Sequence, residues 1–125
     1  MSEAIGADID QLGLERGHRT LVIHRKGATP AEKGVLGIIP GSMASASYLV
    51  EGCGVEEALC SAAHGAGRLG SRNAARSRTT LREVQRLLAE RDVLIQGLSV
   101  DESPLAYKDI ERVMALHYAA DLVRP

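Results

Sequence analysis

A chain of 125 residues with a formal net charge of −1 has room for one domain or part of one, and no global field selects nucleic acid or a membrane as its partner. It holds no Phe and no Trp, and Tyr48, Tyr107 and Tyr118 are its whole aromatic complement. Any core must then be filled by Leu, Ile, Val and Ala, which is thin material for a free-standing domain, so the chain is expected to be a piece of something larger.

In chain order, residues 1 to 17 are acidic and weakly patterned, a short helix or a frayed arm. From Thr20 the stretch "TLVIHRKGAT" predicts a strand running into a basic loop. "VLGIIPGS" predicts a second strand stopped by Pro40-Gly41, and "SASYLVEG" a third, closed by a turn over Gly52 to Gly54. "VEEALCSAA" has helical composition. A short helix is expected to start within Ser71 to Ala75. Thr80 to Arg91 is a better one, with Leu81, Val84, Leu87 and Leu88 at helical spacing. "DVLIQG" predicts a strand and "SVDESPLAY" an acidic loop. Asp109 is placed to cap a last helix carrying Ile110, Val113, Met114 and His117. The fold class is mixed α/β (α+β), with short strands, two or three helices and glycine-rich ligand loops.

Cys53 and Cys60 are too few and wrongly spaced for zinc, no signal peptide is recognisable, and no stretch approaches the ~20 apolar residues of a membrane span. A reduced, cytoplasmic protein is expected. The charge is locally uneven. Arg68, Arg72, Arg76, Arg78, Arg82, Arg86 and Arg91 share one stretch with only Glu83 and Glu90 as acids. That is either a solvated helix face or a phosphate-binding surface, for which the planar guanidinium fork is well suited.

"AAHGAGRLGSR" contains G-x-G-x-x-G at residues 65 to 70. A dinucleotide fingerprint needs a strand just before it and a helix opening at its third glycine. The preceding "EEALCSAAH" is alanine-rich rather than β-branched, and Glu83 and Glu90 lie within or at the end of a predicted helix, so that reading is rejected. Gly65 and Gly67 instead suit a loop whose amides face an anion. Beside it, His64 is either a hydrogen-bonded packing histidine or a nucleophile able to attack phosphorus. "HRKGAT" adds His24, Arg25 and Lys26 before a glycine turn. "PGSMASAS" adds the hydroxyls of Ser42, Ser45 and Ser47 and backbone amides that Pro40-Gly41 is expected to leave free for a ligand.

"HRKGAT", "IPGSMASASY", "SAAHGAGRLGSR" and "DESPLAYKDI" occur in this order and resemble the C-terminal part of the RtcB-type RNA ligases. The resemblance covers roughly residues 20 to 123. It divides the chain into a divergent arm, 1–19, and an RtcB-like segment, 20–125. It implies GTP- and manganese-dependent joining of 2′,3′-cyclic phosphate or 3′-phosphate RNA ends to 5′-hydroxyl ends, in tRNA splicing or RNA repair, through a histidine–GMP intermediate. His64 corresponds to the guanylylated nucleophile. Pro40, Gly41, Ser42, Met43 and Ser47 match the guanylate-contacting loop, and Gly65, Ala66 and Gly67 the turn around the phosphate. Tyr107 matches the residue stacked on guanine, while Lys26, Arg68 and Arg72 match cationic groups for RNA phosphate. RNA ends (tRNA halves or broken RNA), an N-terminal RtcB portion on another chain and an archease-type activator are the partners it implies.

The sequence departs from that pattern in several places. The family's metal ligands lie mostly N-terminal to the matched region, and the last would fall near Asp8, where the match fails. The family's C-terminal guanine-binding lysine has no counterpart before Pro125. "MASAS" replaces the usual "MGT-x-S", and Pro30 stands where an arginine is expected. The expectation is therefore a C-terminal fragment inactive alone; the alternative is a non-catalytic truncated paralogue that keeps a phosphate- or RNA-binding surface.

Overall fold

The computed structural model describes residues 22–125; the predicted N-terminal helix or arm lies outside them. Strand β1 (Ala28–Pro30) pairs antiparallel with β4 (Ser61–Ala63), in the register Ala28 with Ala63 and Pro30 with Ser61. Strands β2 (Leu36–Pro40) and β3 (Ser47–Gly52) form an antiparallel hairpin, and β5 (Val123–Arg124) adds to the free edge of β3. The helices are α1 (Arg72–Arg78), α2 (Leu81–Ala89) and α3 (Ile110–Ala119). The expected mixed α/β class holds.

Strand alternation builds the core. Ile39 on β2 and Val50 on β3 point inward and are buried. Their neighbours Ile38 and Leu49 sit opposite each other on the other face and are exposed. Ile110 and Met114 of α3, with Val123, Ala31, Ala62 and Ala66, complete the inward face, and Tyr48, Tyr107, Val113 and Tyr118 pack at its margin. The predicted aliphatic core is what forms. Val84 and Leu88 of α2 are buried as well.

Local chemistry sets the helix starts. The Ser71 side chain accepts from the Ala74 amide at the start of α1. Thr80 and Glu83 form a reciprocal capping box at α2, with Thr80 N donating to Glu83 Oε2 at 2.7 Å and Glu83 N to Thr80 Oγ1 at 3.3 Å. Asp109 caps α3 by accepting from the Glu111 amide.

Three expectations are corrected. Among the described residues, the strand predicted from Thr20 is regular only over Ala28–Pro30. "VEEALCSAA" is one short 3₁₀ turn, Glu56–Ala58, followed by β4. "DVLIQG" forms no strand. The last two share a cause. Leu59 and Asp92 adopt left-handed backbone (φ 52° and 53°) and close the preceding turns in the Schellman manner. Leu59 N donates to Glu56 O and Cys60 N to Val55 O, while Asp92 N donates to Ala89 O and Val93 N to Leu88 O. Asp121 (φ 51°) closes α3 identically, which turns the chain into β5, a strand not expected from sequence.

Candidate functional site

β4 delivers His64 to the surface. The His64 amide donates to Gly27 O at 3.4 Å, and the ring Nδ1 lies 2.9 Å from the same oxygen. A carbonyl oxygen can only accept, so Nδ1 carries the proton in the neutral ring and Nε2 keeps its lone pair. His64 is exposed, so the packing-histidine alternative does not describe it. Gly27 has φ 76°, a left-handed turn conformation that glycine takes without strain.

Backbone bonds stitch the predicted loops together. Ala66 N donates to Pro40 O at 2.9 Å, tying the turn after His64 to the start of the loop between β2 and β3. Lys108 N donates to Gly67 O at 2.9 Å and Leu69 N to Ala106 O at 2.8 Å, so Arg68 and Tyr107 face each other as an antiparallel bridge. Pro40, Gly41, Ser42, Met43, Ser47, Gly65, Ala66, Gly67 and Tyr107 thus fall on three adjoining segments. Ser42 and Tyr107 line one cavity of about 310 Å³ together with Leu69, Lys108 and Ile110, at the small end of ligand-pocket sizes (~300–1,000 Å³). Ser47 is exposed opposite Pro40 at the hairpin end, and Met43 is half-buried.

The loop from Gly41 to Ala46 differs from expectation in one respect. Its amides turn inward: Gly41 N donates to Ala46 O, Ser42 N to Ser45 Oγ at 2.6 Å, Ala44 N to Ser42 Oγ and Ser45 N to Ser42 O. Pro40-Gly41 does not leave these amides free. Its two serines lock the loop from within, because short hydroxyl side chains cap nearby amides.

The cationic residues divide. Lys26 is exposed beside Gly27. Arg25 is structural: it donates to Ser61 Oγ, to Glu32 and to the carbonyls of Leu59 and Cys60. Arg68 donates to Glu102 Oε1 at 3.3 Å, to Tyr107 Oη at 3.1 Å and to the Asp101 carbonyl. Arg72 reaches Asp101 Oδ2 and Glu102 Oε1, both at 2.8 Å, and remains largely exposed. Arg76 joins Asp101 at 3.4 Å. The Ser99 hydroxyl, then Arg72, hold the Asp101 carboxyl well below the usual carboxylate range despite its burial. Tyr107 donates to Glu102, which lowers that carboxyl, and burial, then this bond, raises the Tyr107 phenol.

Sequence reasoning missed Asp101, Glu102 and His117 as parts of the site. The acids were visible only as a run in "DESPLAYKDI" opposite the arginine-rich stretch, and His117 only as a polar residue on the inward face of α3. The dinucleotide reading fails on topology rather than on a missing strand. β4 does precede Gly65, but it is antiparallel and α1 opens at Arg72 instead of Gly70.

The sequence profile of the family described as tRNA-splicing ligase RtcB matches residues 7–125. The chain belongs to the RtcB family. The RNA-splicing ligase RtcB of Escherichia coli K12 is 44% identical over 103 residues, which cover 82% of this chain and 25% of that protein. For the Mycobacterium tuberculosis RtcB the identity is 37% over 123 residues, covering 85% and 28%. The tRNA-splicing ligase RtcB of Aeropyrum pernix is 36% identical over 138 residues, covering 94% and 28%. The chain thus spans about a quarter of the length of the RtcB proteins it matches. Among the described residues no helix is long and apolar enough to cross a membrane.

Proposed function

We propose that this segment carries the guanylate-accepting histidine of an RtcB-type ligase that joins 2′,3′-cyclic phosphate or 3′-phosphate RNA ends to 5′-hydroxyl ends. The observation that carries the reading is the His64–Gly27 contact, which leaves an exposed Nε2 lone pair beside a glycine turn. Nε2 attacks the α-phosphorus of GTP. A P–N bond forms, the bond to the bridging oxygen breaks, and pyrophosphate leaves. The Gly27 carbonyl, already accepting from Nδ1–H, steadies the positive charge that grows on the ring. A cyclic end is first opened by water to the 3′-phosphate. An oxygen of that phosphate then attacks the GMP phosphorus, the P–N bond breaks and returns the His64 lone pair, and the 5′-hydroxyl attacks the activated 3′-phosphorus with GMP leaving. Gly65 to Gly67 hold the phosphate, the Pro40 to Ser47 loop and Tyr107 the guanylate, and Lys26 and Arg72, the exposed cations, the RNA phosphates. Arg68, expected to join them, is taken up by Glu102, the Tyr107 hydroxyl and the Asp101 carbonyl.

Manganese does not fit the residues described. No group of three or more His, Cys, Asp and Glu side chains converges among them, and Asp101 and Glu102 are committed to arginines. No step here runs through the metal. In this reading the metal site and the remaining contacts come from an N-terminal RtcB portion, and an archease-type activator is a further expected partner. The same lack of converging ligands favours a second reading for the segment by itself, a phosphate- or RNA-binding surface without ligation.

The test is incubation of the chain with α-labelled GTP and Mn²⁺, with the remaining three quarters of an RtcB relative supplied in trans. Acid-labile label on this chain, lost in His64→Ala, supports the ligase reading. No label, with RNA binding that weakens steeply with salt, supports the second.

A further inference from the structure

β4 has two edges. One faces β1, where Ala28 and Ala63 are opposed and the His64 amide makes the next bond, to Gly27. The Ala63 amide points the other way, and its acceptor is Nε2 of His117 at 3.0 Å, reaching across from α3. His117 Nδ1 lies 2.8 Å from the Val113 carbonyl, one turn earlier in the helix. That carbonyl can only accept, so Nδ1 holds the proton and Nε2 faces the Ala63 N–H as an acceptor. His117 is half-buried and Ala62, on the strand between, is buried.

We propose that His117 is a positioning residue for His64. By holding the amide of the residue before it, His117 fixes the end of β4 and keeps the His64 ring against the Gly27 carbonyl in the Nδ1–H tautomer. The His64 amide is held by a long 3.4 Å bond to Gly27 and the Ala66 amide by one to Pro40, while the far edge of the strand is held at Ala63 by His117. β1 and β4 pair over three residues each, and the opposed pair at Ala28 leaves the Ala63 amide to the far edge, where an imidazole is the acceptor supplied. Loss of that acceptor frees Ala63, and the ring–carbonyl distance at His64 follows the backbone. The contact itself is independent of what His64 does; its catalytic consequence rests on the nucleophile reading above.

The experiment uses the full chain with ¹⁵N-labelled histidine and backbone. The wild-type protein should show a coupling through the hydrogen bond between Ala63 N and His117 Nε2, and a His64 ring in the Nδ1–H form. His117→Leu removes the acceptor, whereas His117→Gln keeps an acceptor oxygen. In H117L the His64 ring should become a mixture of tautomers, and the rate of labelling by α-labelled GTP, with the relative's remainder supplied, should fall roughly 10- to 100-fold; H117Q should recover most of both. No Ala63–His117 coupling in the wild type overturns the proposal, as does a folded H117L with unchanged tautomer and rate. If H117L does not fold, the wild-type coupling together with a retained tautomer in H117Q supports it, and the loss of either overturns it. A tautomer change in H117L with no labelling of the wild type supports the positioning and overturns the ligase reading.

Discussion

The Arg68 guanidinium lies over the Tyr107 ring, 5.0 Å from its centroid, and donates to the Tyr107 hydroxyl at 3.1 Å. This pair joins the glycine turn after His64 to the segment before α3, and Glu102 closes it by accepting from both side chains. Arg68→Ala should destabilise the chain by about 1–3 kcal/mol, since it removes the charged donor shared by Glu102, the Tyr107 hydroxyl and the Asp101 carbonyl. Arg68→Lys should recover less than half of that, because an ammonium cannot span the same acceptors. Urea midpoints at constant m-value are the measurement.

Asp101 gives the fold an acid-sensitive hinge pin. Its carboxyl is 2% exposed and held below its ordinary range, first by the Ser99 hydroxyl and then by Arg72. The stabilisation is fully present above the unfolded value of about 3.9. Below it the unfolded chain takes up a proton first, so stability falls as the pH drops through the depressed folded value. Thermal unfolding of Asp101→Asn followed from pH 5 down to pH 2 should show a shallower loss than wild type. Equal slopes would remove Asp101 from this role.

Two glycines of the site should respond differently to alanine. A Cβ on Gly41 would sit 2.4 Å from Ser45 Oγ and 2.7 Å from Ala46 O, whereas one on Gly67 meets nothing within 4 Å. Gly67 has φ 73°, so Gly67→Ala should cost about 1–2 kcal/mol from left-handed backbone alone. Gly41→Ala must push the serine-locked loop apart, and should cost about 1–3 kcal/mol together with loss of nucleotide affinity. Chemical denaturation and GTP titration of both variants check the contrast.

Arg25 is expected to act on the route into β4 rather than on a ligand. It donates to the carbonyls of Leu59 and Cys60, two consecutive left-handed residues that redirect the chain toward His64. Arg25→Ala should cost about 1–3 kcal/mol by leaving those carbonyls without their charged donor. Cys60→Gly should be close to neutral, since relief of the left-handed strain offsets the added freedom of the unfolded chain. Lys26→Ala, on the exposed neighbour, should leave stability unchanged and lower only RNA affinity.

What the sequence made legible follows from where physics is local. The strands β2 and β3, the helix starts near Ser71 and Thr80 and the Asp109 cap of α3 are written in residues a few positions apart and are legible in the sequence. The capping role of Ser71 and Thr80 and the pairing of the strands come from the structure. The turns at Leu59, Asp92 and Asp121 are not legible, because Schellman closures usually announce themselves by glycine and here use leucine and aspartate. The strand β4 and the loss of "DVLIQG" as a strand both follow from that. At the site, the histidine and its glycines are legible as a motif. The Asp101–Glu102 hold on the arginines and the His117 bond to Ala63 are not, since each spans a fold contact that no spacing encodes. The Ser42–Ser45 lock is local, and the same hydroxyls read equally well as groups facing a ligand.

In the proposed reaction His64 accepts guanylate on Nε2 while Gly27 holds Nδ1. The direct measurement is to digest the chain after reaction with α-labelled GTP in the complemented assay, map the label, and identify the bonded nitrogen by ³¹P and ¹⁵N NMR. A single phosphoramidate on Nε2 of His64 is the expected product. A label on another residue, or on Nδ1 of His64, would contradict this reaction.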